Sequence, residues 1–265
     1  MTVSSFCESR NGPYTNFRHA IDISKGDSMN VFPEFSSNLL EFLLPDGVIS
    51  SECLGDFCDL PLVGEEKMVA KDYSAKRLSE FSMGRACARS ALSRLGFNNP
   101  SIPTGVNREP LWPKGIRGSI THCEGYVAAA VAFDYQFKAI GIDAEPNSPI
   151  ESEVHSLIMG KKELSHVGEL NDALPNIHWD KLLFSAKESV YKAWFPTHKT
   201  WLDFSDCEIA FFLDAQCLGK HPDDLIFGRY CARLIGLKRP FSYDGEWMFV
   251  PKRNLLMTAI ASPLR

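Results

Sequence analysis

The sequence predicts a mixed helix-and-strand fold, and three observations carry that expectation. Between Glu65 and Leu95, Leu78, Phe81, Ala88, Leu92 and Leu95 recur at spacings of three, four and seven, the period of an amphipathic helix. A second helical stretch runs from Trp179 to Trp194. Elsewhere the chain breaks into short apolar runs of strand length, most of them after Cys207.

In order along the chain, residues 1–30 are rich in Ser, Asn, Asp and Gly and are expected to form a loosely ordered arm. Patterning begins near Phe32. Gly96 supplies a stop for the first helix. Residues 98–118 are dense in proline and glycine and read as loop. Tyr126 to Phe133 and Lys138 to Ile142 read as strands joined through Asp134 to Phe137. Pro146 and Pro149 mark a link at 146–152, and Pro196 is expected to end the second helix. Strands are expected at 207–213, 228–235, 246–250 and 255–261.

Composition narrows the function. The chain has 265 residues, 45% of them hydrophobic, enough for a sizeable core. A net charge of -5 offers no global basic field, so nucleic acid is not the expected partner. No apolar run approaches the roughly 20 residues that span a bilayer, and the N-terminal residues lack the apolar stretch of a secretory signal. Eight scattered cysteines without a C-x-x-C pair read as reduced thiols of a cytoplasmic protein rather than as a zinc site.

Four segments carry candidate chemistry. In K-A-I-G-I-D-A-E-P, an apolar strand ends in Asp143 and Glu145, which project to one side because strand side chains alternate. Two adjacent carboxylates suit Mg²⁺, although a solvated strand end before a proline reads the same way. On the helix around Glu188, the apolar stripe leaves Glu188 and Lys192 opposite it and Lys187 and Tyr191 on its flank. Spacing alone makes Glu188 and Lys192 an ordinary surface ion pair. Arg77 and Arg85, about two turns apart, can both reach toward phosphate or simply line a wet face. His122, before a strand, is a structural residue or a phosphate donor.

Taken together and in this order, G-R-A-C-A-R-S-A-L (84–92), R-E-P-L-W-P (108–113), G-S-I-T-H-C (118–123), G-I-D-A-E (141–145) and F-S-A-K-E-S-V-Y-K-A (184–193) resemble the phosphopantetheinyl transferase superfamily, and within it the enterobactin-synthase component D type. The resemblance covers about residues 60–195. It implies an α/β (α+β) fold of two pseudo-symmetric halves, here 31–146 and 147–265, with the coenzyme in the cleft between them. It implies that Asp143, Glu145 and Glu188 hold Mg²⁺ and that Arg77, Arg85 and His122 meet phosphates of coenzyme A. Lys187 and Tyr191 would line the coenzyme, and Arg108 would lie in the loop near the adenine. Thr121 stands where serine is usual and keeps the hydroxyl.

The reaction so implied is attack by a serine of an apo acyl or peptidyl carrier protein on the β-phosphate of coenzyme A, with 3′,5′-ADP leaving. Glu188 is the expected base, directly or through a water on the metal, and Lys192 the group that stabilises or protonates the leaving phosphate. A monomer is expected. The carriers of siderophore, polyketide, fatty-acid and lysine biosynthesis all stay open. The segment Phe195–Leu202, with Lys199 and Trp201, is the expected carrier contact unless Trp201 and Leu202 open a core strand. Two other readings are a different Mg²⁺-dependent phosphoryl-transfer enzyme, opposed by the absence of G-x-x-x-x-G-K-[ST], and a catalytically inactive coenzyme-A-binding or carrier-docking protein, opposed by the intact carboxylates.

Overall fold

A computed structural model describes residues 39–213, 225–237 and 240–264, so the arm expected at 1–30 lies outside the described residues. The elements run β1 (Ile49–Leu54), α1 (Glu66–Val69), α2 (Ala75–Arg94), β2 (Ile116–Cys123), β3 (Tyr126–Phe133), β4 (Phe137–Pro146), α3 (His155–Ile158), α4 (Lys161–Ala173), α5 (Trp179–His198), β5 (Cys207–Phe212), β6 (Ile226–Leu234), β7 (Phe241–Val250) and β8 (Leu255–Pro263). The strands form a three-stranded sheet, β1-β3-β2, and a five-stranded sheet, β4-β8-β7-β6-β5, with antiparallel neighbours throughout. This is a mixed α/β architecture. No helix of the described residues is long and apolar enough to cross a membrane.

Strand β3 explains how the layers stack. Its Y-V-A-A-A-V-A-F reads as an unbroken apolar run because both faces are covered. Val127, Ala129 and Val131 pack with Met83, Ala88 and Leu92 of α2. Tyr126, Ala128, Ala130 and Ala132 pack with Ile140, Ile142, Met257 and Ala259 of the five-stranded sheet. The small alanine side chains let the two sheets approach closely. On the far face of the five-stranded sheet, Trp179, Leu182, Ala186 and Val190 of α5 bury against Tyr230, Trp247 and Ile260.

Several boundaries differ from the sequence reading. The single helix expected over 65–95 is two, because Ser74 ends an irregular stretch and its side chain accepts from Arg77 N, a fresh N-cap for α2. Strand β2 begins at Ile116, inside the segment read as loop. Helix α5 runs through Pro196 to His198 and ends at Lys199, in the left-handed region at φ 52°. A proline in the last turn removes one terminal bond and leaves the rest of the helix intact.

Edge strands are closed by side chains rather than by further strands, which is one way to block unwanted pairing. On β5, Ile209 N donates to Glu163 Oε1 (2.8 Å) and Phe211 N to His166 Nε2 (3.1 Å), both from α4. The opposite edge, β4, meets β2 in the manner described below.

One carboxyl on the central strand of the larger sheet, β7, has a measurable signature. Burial, reinforced by Asp244, pushes Glu246 up to about 7, although Arg229 lies opposite it in register. A carboxyl raised in the folded state contributes stability below its unfolded value, and that contribution is lost as pH rises through about 7. Glu246→Gln is therefore expected to raise Tm above wild type at pH 8 and to match it near pH 5. Parallel Tm curves across that range would remove Glu246 as the cause.

Candidate active site

The site forms where two edge strands meet. Alternate backbone N–H groups of an edge strand point outward and need acceptors. Those of β4 find hydroxyls on β2: Ile142 N donates to Ser119 Oγ (3.1 Å) and Ala144 N to Thr121 Oγ1 (3.1 Å). Thr121 then donates to Asp143 Oδ1 at 3.2 Å. The S-I-T segment thus seams the two sheets together at the residue pair that flanks Asp143.

Helix α5 lies across β4 and β8, beside this seam. Gly141 makes its close approach possible: a Cβ there would fall 2.0 Å from the Ser189 carbonyl oxygen. Ser185 and Ser189 hydrogen-bond to Thr258 Oγ1 at 2.9 and 2.6 Å, on β8 directly opposite Asp143 in register. With the helix so seated, Lys192 Nζ donates to Asp143 Oδ1 at 2.7 Å. The ion pair that spacing suggested between Glu188 and Lys192 is replaced by this longer-range one.

Three carboxylates share the cleft electrostatically. Burial first, then the charge of Asp143, pushes Glu145 up to about 7, against the pull of Lys181 and Lys192. Burial also raises Glu188, with Asp143 adding to it and Lys192 opposing. Asp143 Oδ2 is buried and has no hydrogen-bond partner among the described residues. Lys181 Nζ stands 3.8 Å from Glu145 Oε2. Among the described residues no three acidic, His or Cys side chains are drawn together as a closed metal cage. The donor set nonetheless fits a hard divalent cation: oxygen ligands, an orphaned buried carboxylate oxygen, and lysine ammonium groups standing where positive charge is needed.

Beside this trio lies a basic corner. Arg77 Nη1 is 3.0 Å from His122 Nε2, and Glu80 Oε2 is 3.5 Å from Arg77 Nη1 and 3.9 Å from His122 Nδ1. Burial holds His122 below its usual range, and Arg77 and Lys192 push it the same way. Arg77 Nε is buried and has no acceptor among the described residues. A cavity of about 210 Å³ is lined by Lys187, Glu188, Tyr191, Trp201, Leu202 and Phe204, among others.

The remaining sequence candidates are distributed as follows. Arg85 is buried, and its guanidinium donates to the Ile102 carbonyl (2.7 Å) and to Thr104 Oγ1 (3.0 Å). Arg108 is exposed at a loop tip with φ 68°. Tyr191 stacks edge-on against Trp201 at 5.2 Å. In the segment Phe195–Leu202, Phe195 is buried, Lys199 is paired with Glu109, and Trp201 is 69% exposed. Lys187 is buried and donates to Ile158 O (2.7 Å), Glu163 Oε2 (2.8 Å) and Phe204 O (2.9 Å), so all three of its protons are engaged by the protein. Lys187→Met is expected to cost about 3–5 kcal/mol, because Glu163 is left charged and buried without its partner. The denaturation midpoint reads this, and adding Glu163→Gln should recover part of the loss.

Sequence reasoning missed Lys181, Glu80 and Ser119. Lys181 had a signal, since 181, 188 and 192 share one helix face. Glu80 and Ser119 had none without the tertiary partners that give them roles.

Comparison with known proteins adds two family matches. Residues 65–132 match the model described as the 4′-phosphopantetheinyl transferase N-terminal domain, and residues 139–232 that of the 4′-phosphopantetheinyl transferase superfamily. The chain is 37% identical over 232 residues to 4′-phosphopantetheinyl transferase Svp of Streptomyces mobaraensis, spanning 84% of this chain and 89% of that protein. It is 42% identical over 206 residues to 4′-phosphopantetheinyl transferase PptT of Mycobacterium tuberculosis, spanning 76% and 85%. Enterobactin synthase component D of Escherichia coli K12 matches at 36% over 142 residues, 52% of this chain and 65% of that protein.

Proposed function

The chain belongs to the 4′-phosphopantetheinyl transferase superfamily, and from that premise we propose that it moves the phosphopantetheine arm of coenzyme A onto a serine of an apo acyl or peptidyl carrier protein and releases 3′,5′-ADP. The observation that supports the site is the orphaned, buried Asp143 Oδ2 among three carboxylates, with the Arg77–His122 corner beside it.

Each group then has a task. Asp143, Glu145 and Glu188 would hold Mg²⁺, which when bound neutralises charge on the pyrophosphate. Arg77 and His122 grip phosphate oxygens through hydrogen bonds, and the unmet Nε of Arg77 supplies a charge-assisted one. Arg108 adds a cation at the rim. Arg85 and Thr121 serve the coenzyme from behind, by holding the 102–104 loop and the strand seam. The cavity beside Glu188 takes the uncharged pantetheine portion, walled by Tyr191, Trp201 and the stem of Lys187. Glu188, with its proton affinity raised by burial, accepts the proton of the attacking serine hydroxyl. The new bond joins serine oxygen to the β-phosphorus, and the bond from that phosphorus to the oxygen of 3′,5′-ADP breaks. Lys192 neutralises the departing phosphate. We place the protein in the cytoplasm as a monomer, and Trp201 at the contact with the carrier.

Incubation with coenzyme A, Mg²⁺ and a panel of apo carrier proteins should add one phosphopantetheine mass to the carrier serine. A folded, coenzyme-binding protein that modifies no carrier across all pathway classes would instead support the inactive coenzyme-binding reading. Trp201→Ala should raise KM for the carrier several-fold more than KM for coenzyme A; the reverse pattern would move the docking surface elsewhere.

A further inference from the structure

Among the described residues, four other than glycine adopt positive φ: Asn99, Arg108, Lys199 and Asn254. Asparagine tolerates this conformation, whereas a long basic side chain adopts it only at a cost in backbone strain. The two basic residues belong to a single structure. Residues 103–111 form a closed finger: Leu111 N donates to Pro103 O (2.8 Å), Gly105 N to Glu109 O (2.8 Å) and Arg108 N to Gly105 O (3.0 Å). Its base is held from α2 by Arg85 and from α1 by Glu66 Oε1, which accepts Ile102 N at 2.8 Å. Its tip carries Arg108, exposed, whose guanidinium meets no partner among the described residues.

Glu109 folds back under that tip. Its carboxylate accepts Asn107 N at 3.0 Å and Lys199 Nζ at 3.1 Å. Gly105 leaves the space for it, since a Cβ there would lie 2.5 Å from the Glu109 carboxyl carbon. Lys199 occupies the residue just past α5, where glycine is the default because the backbone turns left-handed. A lysine there is accounted for by what its side chain reaches. The Glu109 side chain is 11% exposed and that of Lys199 56%, so water screens the pair from the lysine side.

We infer that Glu109 is a positioning residue for coenzyme binding. Through Lys199 it latches the finger to the end of α5, and so fixes the separation of the two walls that grip the coenzyme. One wall is α2, which carries Arg77 and anchors the finger's base. The other is α5, which carries Tyr191 and Lys192. The latch also presents Arg108 at the rim, a cation for a polyanionic ligand. This inference rests on the transferase reading.

The test is a double-mutant cycle on the full chain with Glu109→Gln and Lys199→Gln, using coenzyme A as the probe. Glutamine at 109 keeps the shape and an acceptor for Asn107 N and removes only the charge. Each single variant should raise KM and the calorimetric Kd for coenzyme A about fivefold, as the loss of one partly buried pair implies. Turnover at saturating coenzyme A and carrier should hold within about twofold. The double variant should be no worse than either single one, and Lys199→Arg should behave as wild type. Unchanged coenzyme affinity, additive losses in the cycle, or a fall in kcat at constant KM would each overturn the latch. A rise confined to carrier KM would also overturn it and make the finger a carrier contact. Wild type that binds coenzyme A yet modifies no carrier sinks the transferase reading, and the latch is then judged on Kd alone. Wild type that fails to bind coenzyme A overturns both.

Discussion

Asp143→Ala is expected to cut transfer by a factor on the order of 10³ while leaving a folded protein. Three properties converge on this carboxylate. Its Oδ1 receives both Lys192 and Thr121, its Oδ2 is buried and open to a cation, and its charge raises the proton affinity of Glu145 and Glu188. Truncation removes a cation ligand and frees Lys192 from its place beside the reacting phosphate. The fold survives because Thr121 still accepts Ala144 N and keeps the seam closed. Asp143→Asn separates the charge from the shape: it retains an acceptor for Thr121 and should be nearly as inactive. Circular dichroism establishes the fold, and carrier modification over a Mg²⁺ titration reads the activity. Undiminished transfer by folded Asp143→Ala would falsify the assignment of this residue to the site.

Gly141→Ala should be at least as disabling, through a different physical route. The added methyl lands 2.0 Å from the Ser189 carbonyl oxygen and 2.8 Å from the Ala193 nitrogen, both backbone atoms of α5 that have no rotamer to change. The helix must lift from β4 and β8, opening the Ser185–Ser189–Thr258 contacts and moving Glu188 and Lys192 off their marks. Overpacking against rigid backbone is expected to cost about 3 kcal/mol or more, at the upper end for such insertions. Gly168→Ala in α4 is the control: nothing lies within 4 Å of its Cβ, and alanine should stabilise the helix by up to about 1 kcal/mol. If urea midpoints place Gly141→Ala level with wild type, the close approach of α5 is not what seats the catalytic residues.

What could be read from the chain alone was whatever depends on local period. The strand bearing Asp143 and Glu145 and the helix bearing Glu188 both appear where an apolar run and 3.6-residue spacing put them, with β4 continuing through both carboxylates to Pro146. The break at Ala70–Ser74 escaped because the apolar pattern of α2 hides that a cap at Ser74 restarts the helix. The start of β2 escaped because glycine and proline, usual in loops, here surround a strand whose Gly118 accommodates the Trp112 ring. Lys192 illustrates the harder limit. Its spacing from Glu188 advertised a surface pair, but its partner is Asp143, on another element and reachable only once α5 is docked. Lys187 illustrates the same limit: nothing local says that Ile158, Glu163 and Phe204 would surround its ammonium group.

The hydroxyl seam between β2 and β4 gives the protein an internal gauge. The amide protons of Ile142 and Ala144 are bound by Ser119 and Thr121 side chains rather than by a neighbouring strand's carbonyls. Parting the two sheets exposes these two protons to solvent while every ladder within either sheet stays closed. Their hydrogen–deuterium exchange therefore clocks sheet separation specifically, as distinct from unfolding of either layer. A small molecule that wedges the cleft apart should quicken exchange at these two amides, and one that draws the walls together should slow it, before any change in melting temperature is seen.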